Sequence, residues 1–258
     1  MSAGGERLRA RCRSGSGTPM HASKLYSELQ PYGFWLVGTL IVGVVYYSLR
    51  RCQHATLADW GGKWRNRLAG LNRRFCQHYH CLQHDTLELP EKGGAVVVGN
   101  HVSGLDPMLM IAASPRPLRF LIAREEYDRW YLNWLFRLAG CIPVERESNP
   151  RSAFYAARRA IENGEVVALF PQGRILKRGE TAVRLKRGAI ALAKMTGVPL
   201  YSLRIDGVRG QGLTAAAALL PGKVRITAFH PIDTLTMDEH EILDRLSHRF
   251  GQGFVDPE

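Results

Sequence analysis

From residue 90 to the C-terminus, short apolar runs alternate with longer amphipathic stretches, and that alternation limits the chain to few folds. The runs are GAVVVG (94–99), RFLIA (119–123), GCIPV (140–144), EVVALF (165–170), VPLYSLR (198–204) and KVRITAF (223–229). Each has strand length, and most are rich in β-branched residues. Helical spacing of apolar residues fills the intervals at 107–113, 125–138, 150–163, 185–196 and 238–250. Strands separated by helices predict an α/β fold, with a mostly parallel central sheet flanked by helices. A chain of 258 residues has room for one such domain, over 85–258, and an appendage. With 45% hydrophobic and 22% charged residues, a disordered chain is excluded. No internal repeat is visible.

The first 84 residues follow another pattern. Residues 1–24 are rich in Arg, Gly and Ser, with Arg7, Arg9, Arg11 and Arg13 alternating with other residues. They predict a disordered basic tail suited to anionic headgroups. Residues 25–84 read as a helical region that anchors the chain to a membrane. Within it, 31–49 (PYGFWLVGTLIVGVVYYSL) carries no charge, and as a helix it would rise about 28 Å, near one hydrocarbon core. Tyr32 and Trp35 flank one end, Tyr46 and Tyr47 the other, and Arg50 and Arg51 close it. A secretory signal is the rival, but no small-x-small cleavage site follows; a buried soluble helix is the plainer alternative. At 56–82, Trp60, Trp64, Leu68, Leu71 and Phe75 recur at spacings of three and four, with Lys63, Arg65, Arg67, Arg73 and Arg74 between them. That is a basic amphipathic helix for a headgroup layer, or else a surface helix packed on the domain. Cations just downstream of the anchor place the α/β domain on the cytoplasmic side.

The formal net charge is +12, and residues 1–90 hold twelve Lys/Arg against five Asp/Glu. Such a balance asks for an anionic partner. No nucleic-acid motif accompanies it, and the basic residues cluster beside the uncharged segment, so lipid is favoured over nucleic acid. Five cysteines in no framework spacing predict reduced thiols. Cys76-x-His78-x-His80-Cys81-x-x-His84 puts some of these groups a helical turn apart, but the spacing matches no zinc module, and no metal is expected.

Chemistry gathers where the first long strand ends. AVVVG is followed by Asn100-His101-Val-Ser-Gly-Leu-Asp106-Pro107. A polar loop therefore starts at the carboxyl edge of the sheet, where open α/β folds place ligands. Asp106-Pro107 looks like a helix start, with Asp at the N-cap. On one regular helix, residues five apart would point about 140° from each other, but across a loop-to-helix junction His101 and Asp106 can meet. The carboxylate would then fix the imidazole tautomer, leaving the other ring nitrogen as a general base. Ser103 as a nucleophile lacks the G-x-S-x-G elbow.

Three further blocks follow in order: Gly140-Cys-Ile-Pro-Val-Glu-Arg146, Phe170-Pro171-Gln172-Gly173-Arg174 and Val198-Pro199-Leu200. Together with N-H-x4-D they resemble the glycerolipid acyltransferase family, lysophosphatidic acid acyltransferases above all, over roughly 90–205. The resemblance implies His101 and Asp106 as the catalytic pair. It implies Arg146, Gly173 and Arg174 as acceptor-binding residues, with Arg124 and Lys186 beside them. It also implies transfer of a fatty acyl group from acyl carrier protein or coenzyme A thioester to the free hydroxyl of lysophosphatidic acid, without a cofactor. A thioester needs no metal if the attacking alcohol loses its proton to a histidine in the transition state, and arginines suit the acceptor phosphate.

One departure stands out. The family's F-P-E-G-T-R is F-P-Q-G-R here, so Gln172 replaces an acid and one residue is missing before the arginine. That bears on acceptor identity and keeps two alternatives open: another lysolipid acceptor (a lysophosphatidylcholine-type or lyso-ornithine-type lipid), or a noncatalytic lipid-binding scaffold.

Overall fold

A computed structural model of the chain describes residues 20–145, 150–180 and 184–251. In chain order its elements are α1 (Met20–Ala55), α2 (Lys63–Tyr79), β1 (Gln83–His84), β2 (Ala95–Gly99), α3 (Asp106–Ala113), β3 (Leu118–Ala123), α4 (Arg124–Tyr127), α5 (Asn133–Leu138), β4 (Ile142–Val144), α6 (Pro150–Glu162), β5 (Val166–Leu169), α7 (Gly188–Thr196), β6 (Leu200–Asp206), β7 (Arg225–Ile232) and α8 (Glu239–Arg249). The chain divides into two units, one up to Ser48 and one from Leu49 onward.

The second unit holds one seven-stranded sheet in the order β1-β7-β6-β2-β5-β3-β4. Strands β6, β2, β5, β3 and β4 run parallel. β7 is antiparallel to β6, and β1 pairs parallel with β7. β6 and β7 are joined by a loop with only a short 3-10 turn (Ala215–Leu219), and without a crossover helix the return strand comes back antiparallel.

Every residue of β2 is buried, because both faces of the sheet are covered. Successive side chains of a strand point to opposite faces. Ala95 and Val97 meet Leu109 and Met110 of α3 on one face. Val96 and Val98 meet Ile161 of α6, Ile190 of α7 and Leu243 of α8 on the other.

The apolar runs from 94 onward all become strands. The helix expected over 125–138 does not form as one piece: α4 ends at Tyr127 and α5 starts at Asn133. Tyr127 stacks on Phe136 with ring centroids 6.0 Å apart, and both pack against the core. Nine residues along one straight helix would set them about 180° apart, so the helix must break. The Asn133 amide donates to the Tyr127 carbonyl at 2.9 Å and closes the break.

The helix expected over 56–82 is confined to Lys63–Tyr79, and one of its faces belongs to the domain. Gly70 and Cys76 are buried. Asn72 donates to the Met108 carbonyl at 2.8 Å, and Arg73, expected on the outward face, donates inward to the Ala112 carbonyl at 2.5 Å. Gly70 has no room for a side chain, since a Cβ there would lie 1.6 Å from the Cys52 carbonyl oxygen. Trp64 and Leu71 remain exposed.

Residues 1–19 of the expected tail lie outside the described residues, and α1 begins at Met20, within the stretch read as tail. In the first unit, side chains are described without interruption from residue 34, and those of Phe34, Trp35, Leu36 and their successors are exposed. Among the described residues no helix is long and apolar enough to cross a membrane.

Candidate active site

The site is built where β2 stops. Asn100 continues the sheet with its side chain, donating to the Ile205 carbonyl at 2.9 Å and accepting from the Ile205 N–H at 2.6 Å. The strand end is thereby tied to β6, and the chain is free to turn away at His101.

His101 and Asp106 meet as their loop-to-helix placement predicted. The imidazole Nδ1 lies 2.9 Å from Asp106 Oδ2. The same oxygen accepts from the Val102 N–H at 2.6 Å and the Ser103 N–H at 2.8 Å, while Oδ1 accepts from the Ser103 hydroxyl at 2.7 Å. Asp106 is 0% exposed and the His101 side chain 17%. A fully buried carboxylate must be hydrogen-bonded on both oxygens, and this one is. With Oδ2 an acceptor, the neutral form of the ring has its proton on Nδ1 and its lone pair on Nε2.

One detail differs from the expectation. Asp106 does not sit at the N-cap but is the first residue of α3, after Leu105. Its carboxylate turns back to the preceding loop instead of satisfying its own helix. Ser103 is buried, and its hydroxyl is committed to Asp106 while accepting from the Leu105 N–H at 3.2 Å. The imidazole of His101 bonds Asp106 and not this hydroxyl, so no Ser–His pair is formed.

The His101 ring stacks on Phe170, with centroids 4.0 Å apart and planes 10° from parallel, and Phe170 stacks on Phe120 at 5.9 Å. The F-P-Q-G-R block thus supplies the wall behind the imidazole. Beyond Phe170 the block turns tightly. Gly173 adopts φ +70, a conformation other residues resist, and its N–H donates to the Phe170 carbonyl at 3.0 Å. The Lys186 side chain crosses Gly173 so closely that a Cβ there would lie 2.7 Å from Nζ. Leu176 N–H then donates to the His101 carbonyl at 2.8 Å.

The expected cations stand in different situations. Arg174 pairs with Glu180, one of its nitrogens donating at 2.9 Å. Beside that guanidinium, and hydrogen-bonded by the Lys177 N–H, the Glu180 carboxyl is held down at about 2. Arg124 bonds Asp128 at 2.6 Å and faces Glu145 at 4.0 Å. Arg146 lies outside the described residues. Gln172 is 4% exposed, and neither of its amide atoms has a hydrogen-bond partner among the described residues.

Sequence reasoning gave no role to the Gly/Ala-rich stretch 207–222. It clamps the loop that holds His101. Gly212 N–H donates to the Val102 carbonyl at 2.9 Å, and Gly104 N–H donates to the Leu213 carbonyl at 3.0 Å. A Cβ on Gly104 would lie 2.7 Å from the Thr214 carbonyl. The signal was the glycines themselves: Gly207, Gly210 and Gly212 all take positive φ, as a tightly folded strap requires.

Burial pushes the Cys76 thiol up to about 12 and the Cys141 thiol up to about 11, so neither supplies a thiolate near neutral pH. Among the described residues no group of three His, Cys, Asp or Glu side chains stands close enough to share a metal ion.

Residues 81–206 match the family model "Acyltransferase". A 1-acyl-sn-glycerol-3-phosphate acyltransferase of Borreliella burgdorferi is 30% identical over 156 residues, covering 59% of this chain and 62% of the relative. Its counterpart in Bacillus subtilis is 26% identical over 120 residues, covering 46% of this chain and 59% of the relative. The chain thus spans about three fifths of the length of these relatives. The crystal structure of the 1-acyl-sn-glycerophosphate (LPA) acyltransferase PlsC from Thermotoga maritima superposes with a TM-score of 0.57 and 19% identity, over 91% of this chain and 99% of that one, so the fold is shared. The matched segment 81–206 holds the buried His101–Asp106 pair and six of the seven strands of the sheet that presents it, so the resemblance falls on the candidate site itself.

Proposed function

We propose that this chain transfers a fatty acyl group from an acyl thioester to the free hydroxyl of lysophosphatidic acid, giving phosphatidic acid. The observation that carries the proposal is the buried carboxylate of Asp106 on His101 Nδ1. The names of the relatives supply the acceptor. In the reaction the acceptor hydroxyl gives its proton to His101 Nε2 as its oxygen bonds to the thioester carbonyl carbon. Asp106 stabilises the imidazolium so formed. The tetrahedral oxyanion then collapses, the C–S bond breaks, and the imidazolium proton goes to the departing sulfur. The products are phosphatidate and a free thiol, and no acyl-enzyme intervenes. The committed hydroxyl of Ser103 and the raised thiols of Cys76 and Cys141 are consistent with direct attack.

Arg174, Lys186 and Arg124 are proposed to meet the acceptor phosphate, with Arg146 as a further contributor. Arg174 and Arg124 would exchange their present carboxylate partners for it, an exchange that exposed ion pairs permit at small energetic cost. The chain works at a membrane, held by the exposed apolar side chains of α1, with the acyltransferase domain on the cytoplasmic side. Acyl carrier protein or coenzyme A presents the donor.

The test is acyl transfer from labelled thioester by membranes containing the chain, with lysophosphatidate beside a panel of other lysolipids. Transfer to lysophosphatidate above all others is expected. Preference for another lysolipid would relocate the acceptor and point to the F-P-Q-G-R block as its cause. No transfer to any acceptor from either donor would favour the noncatalytic scaffold.

A further inference from the structure

The break between α4 and α5 turns aromatic side chains outward. Trp130 is 87% exposed and Trp134 56%, with Tyr131 and Leu135 also exposed beside them. Tyr127 and Phe136 of the same segment are packed inward, so the outward group stands on a fixed base. Its polar handles are largely used within the segment. Trp134 Nε1 donates to the Tyr131 carbonyl at 3.0 Å, and Arg129 donates to the Tyr131 hydroxyl at 3.0 Å. What faces water is mainly aromatic ring.

Charge decides what kind of partner fits. Arg124, Arg129 and Arg137 are matched by Glu125, Glu126 and Asp128 in residues 124–138. Two of these cations are already paired, Arg124 with Asp128 and Arg129 with Glu126. The segment is neutral within a chain of net charge +12, so it does not select an acidic protein or a nucleotide. Tryptophan and tyrosine on a neutral surface suit the headgroup level of a bilayer, where an amphipathic ring is stable.

Position gives the surface its purpose. β2, β5 and β3 are parallel, so their carboxyl ends share one edge of the sheet. His101 follows β2 at that edge, Phe170 follows β5, and α4 follows β3. We propose that Trp130, Tyr131, Trp134 and Leu135 insert into the interfacial layer of a lipid bilayer and bring the His101 edge of the acyltransferase domain to the surface that holds its acceptor. This contact is made by residues of the second unit. It rests on the proposed lipid acceptor for its purpose but not for its detection.

The experiment uses the full chain and the double variant Trp130→Ser/Trp134→Ser, whose changes touch only exposed side chains. Both are bound to phosphatidylcholine vesicles, with and without brominated acyl chains. The proposal expects part of the full chain's tryptophan emission to be blue-shifted and quenched by the bromines, and the double variant to lose that part. It also expects the variant's transfer to vesicle-borne acceptor to fall severalfold, while transfer to detergent-dispersed acceptor is unchanged. Equal bromine quenching in the two proteins would overturn the proposal. A blue shift that depends on protein concentration and not on vesicles would overturn it in favour of a second copy of the chain. Loss of quenching in the variant with no transfer by either protein would uphold the bilayer contact and sink the acyltransfer reading instead.

Discussion

Replacing Asp106 by Asn separates the charge of the site from its shape. The side chain sits among four donors. Oδ2 receives His101 Nδ1 and the N–H groups of Val102 and Ser103, and Oδ1 receives the Ser103 hydroxyl. An asparagine has one arrangement that fits. Its carbonyl oxygen takes the Oδ2 position and its amide donates to Ser103 Oγ, which can rotate to accept. The loop therefore stays folded, and the stability loss should stay below about 2 kcal/mol, a few weakened bonds. The carboxylate charge is gone, however. A unit charge about 4 Å from the imidazolium contributes roughly 4 kcal/mol at an effective dielectric of 20. Losing most of that in the transition state slows transfer by about 10²–10³-fold. The assay is initial-rate release of free thiol from the acyl thioester at saturating acceptor, with the thermal midpoint recorded beside it. A folded Asp106→Asn protein with a rate within about threefold of the parent would refute the charge argument.

Other consequences follow from the same geometry. Gly104→Ala drives a methyl group to 2.7 Å from the Thr214 carbonyl, so the strap must move; we expect a loss of about 1–3 kcal/mol in chemical denaturation and a large fall in transfer rate. Ser103→Ala removes one bond to Asp106 but no nucleophile, and the rate should fall by less than about tenfold; a complete loss of transfer in folded protein would restore Ser103 as a catalytic candidate. His80 is buried between Phe75 and Tyr79, and burial pulls its pKa below the ordinary value, which the Ala218 backbone offsets only in part. The unfolded chain then binds a proton that the folded one resists, so stability is fullest above about pH 6.5 and declines as pH falls through that value. Thermal midpoints should drop on acidification, and more weakly in His80→Phe; equal slopes in both would show that His80 is not responsible.

Much of the site was legible because it depends on local sequence. A valine-rich run ending in Asn-His, with Asp-Pro five residues on, fixes both the strand end and the helix start between which the pair forms. The parallel sheet was legible for a similar reason, since β2 and β5 are buried on both faces and read as unbroken apolar runs. What was not legible depends on distant partners. Nothing near residue 212 says that its N–H will find the Val102 carbonyl. The break at 128–132 follows from the need to turn Tyr127 and Phe136 toward one core, a tertiary demand that overrides a passable helical pattern. Arg73 looked like a solvent-facing cation and instead caps a carbonyl of α3, because long side chains reach in as readily as out. Arg174 and Arg124 were read as cations awaiting a phosphate, and the carboxylates that hold them, Glu180, Asp128 and Glu145, lie outside the helices and strands, in segments whose geometry the motif does not encode.

The most direct test of the whole account is acyl transfer to lysophosphatidate by the His101→Ala protein beside the parent at equal, folded level. The account predicts that transfer falls to the uncatalysed background, with binding to vesicles unchanged and no acyl group retained on the protein. Transfer at a rate comparable to the parent, or a stable acyl adduct trapped on a serine or cysteine, would contradict it.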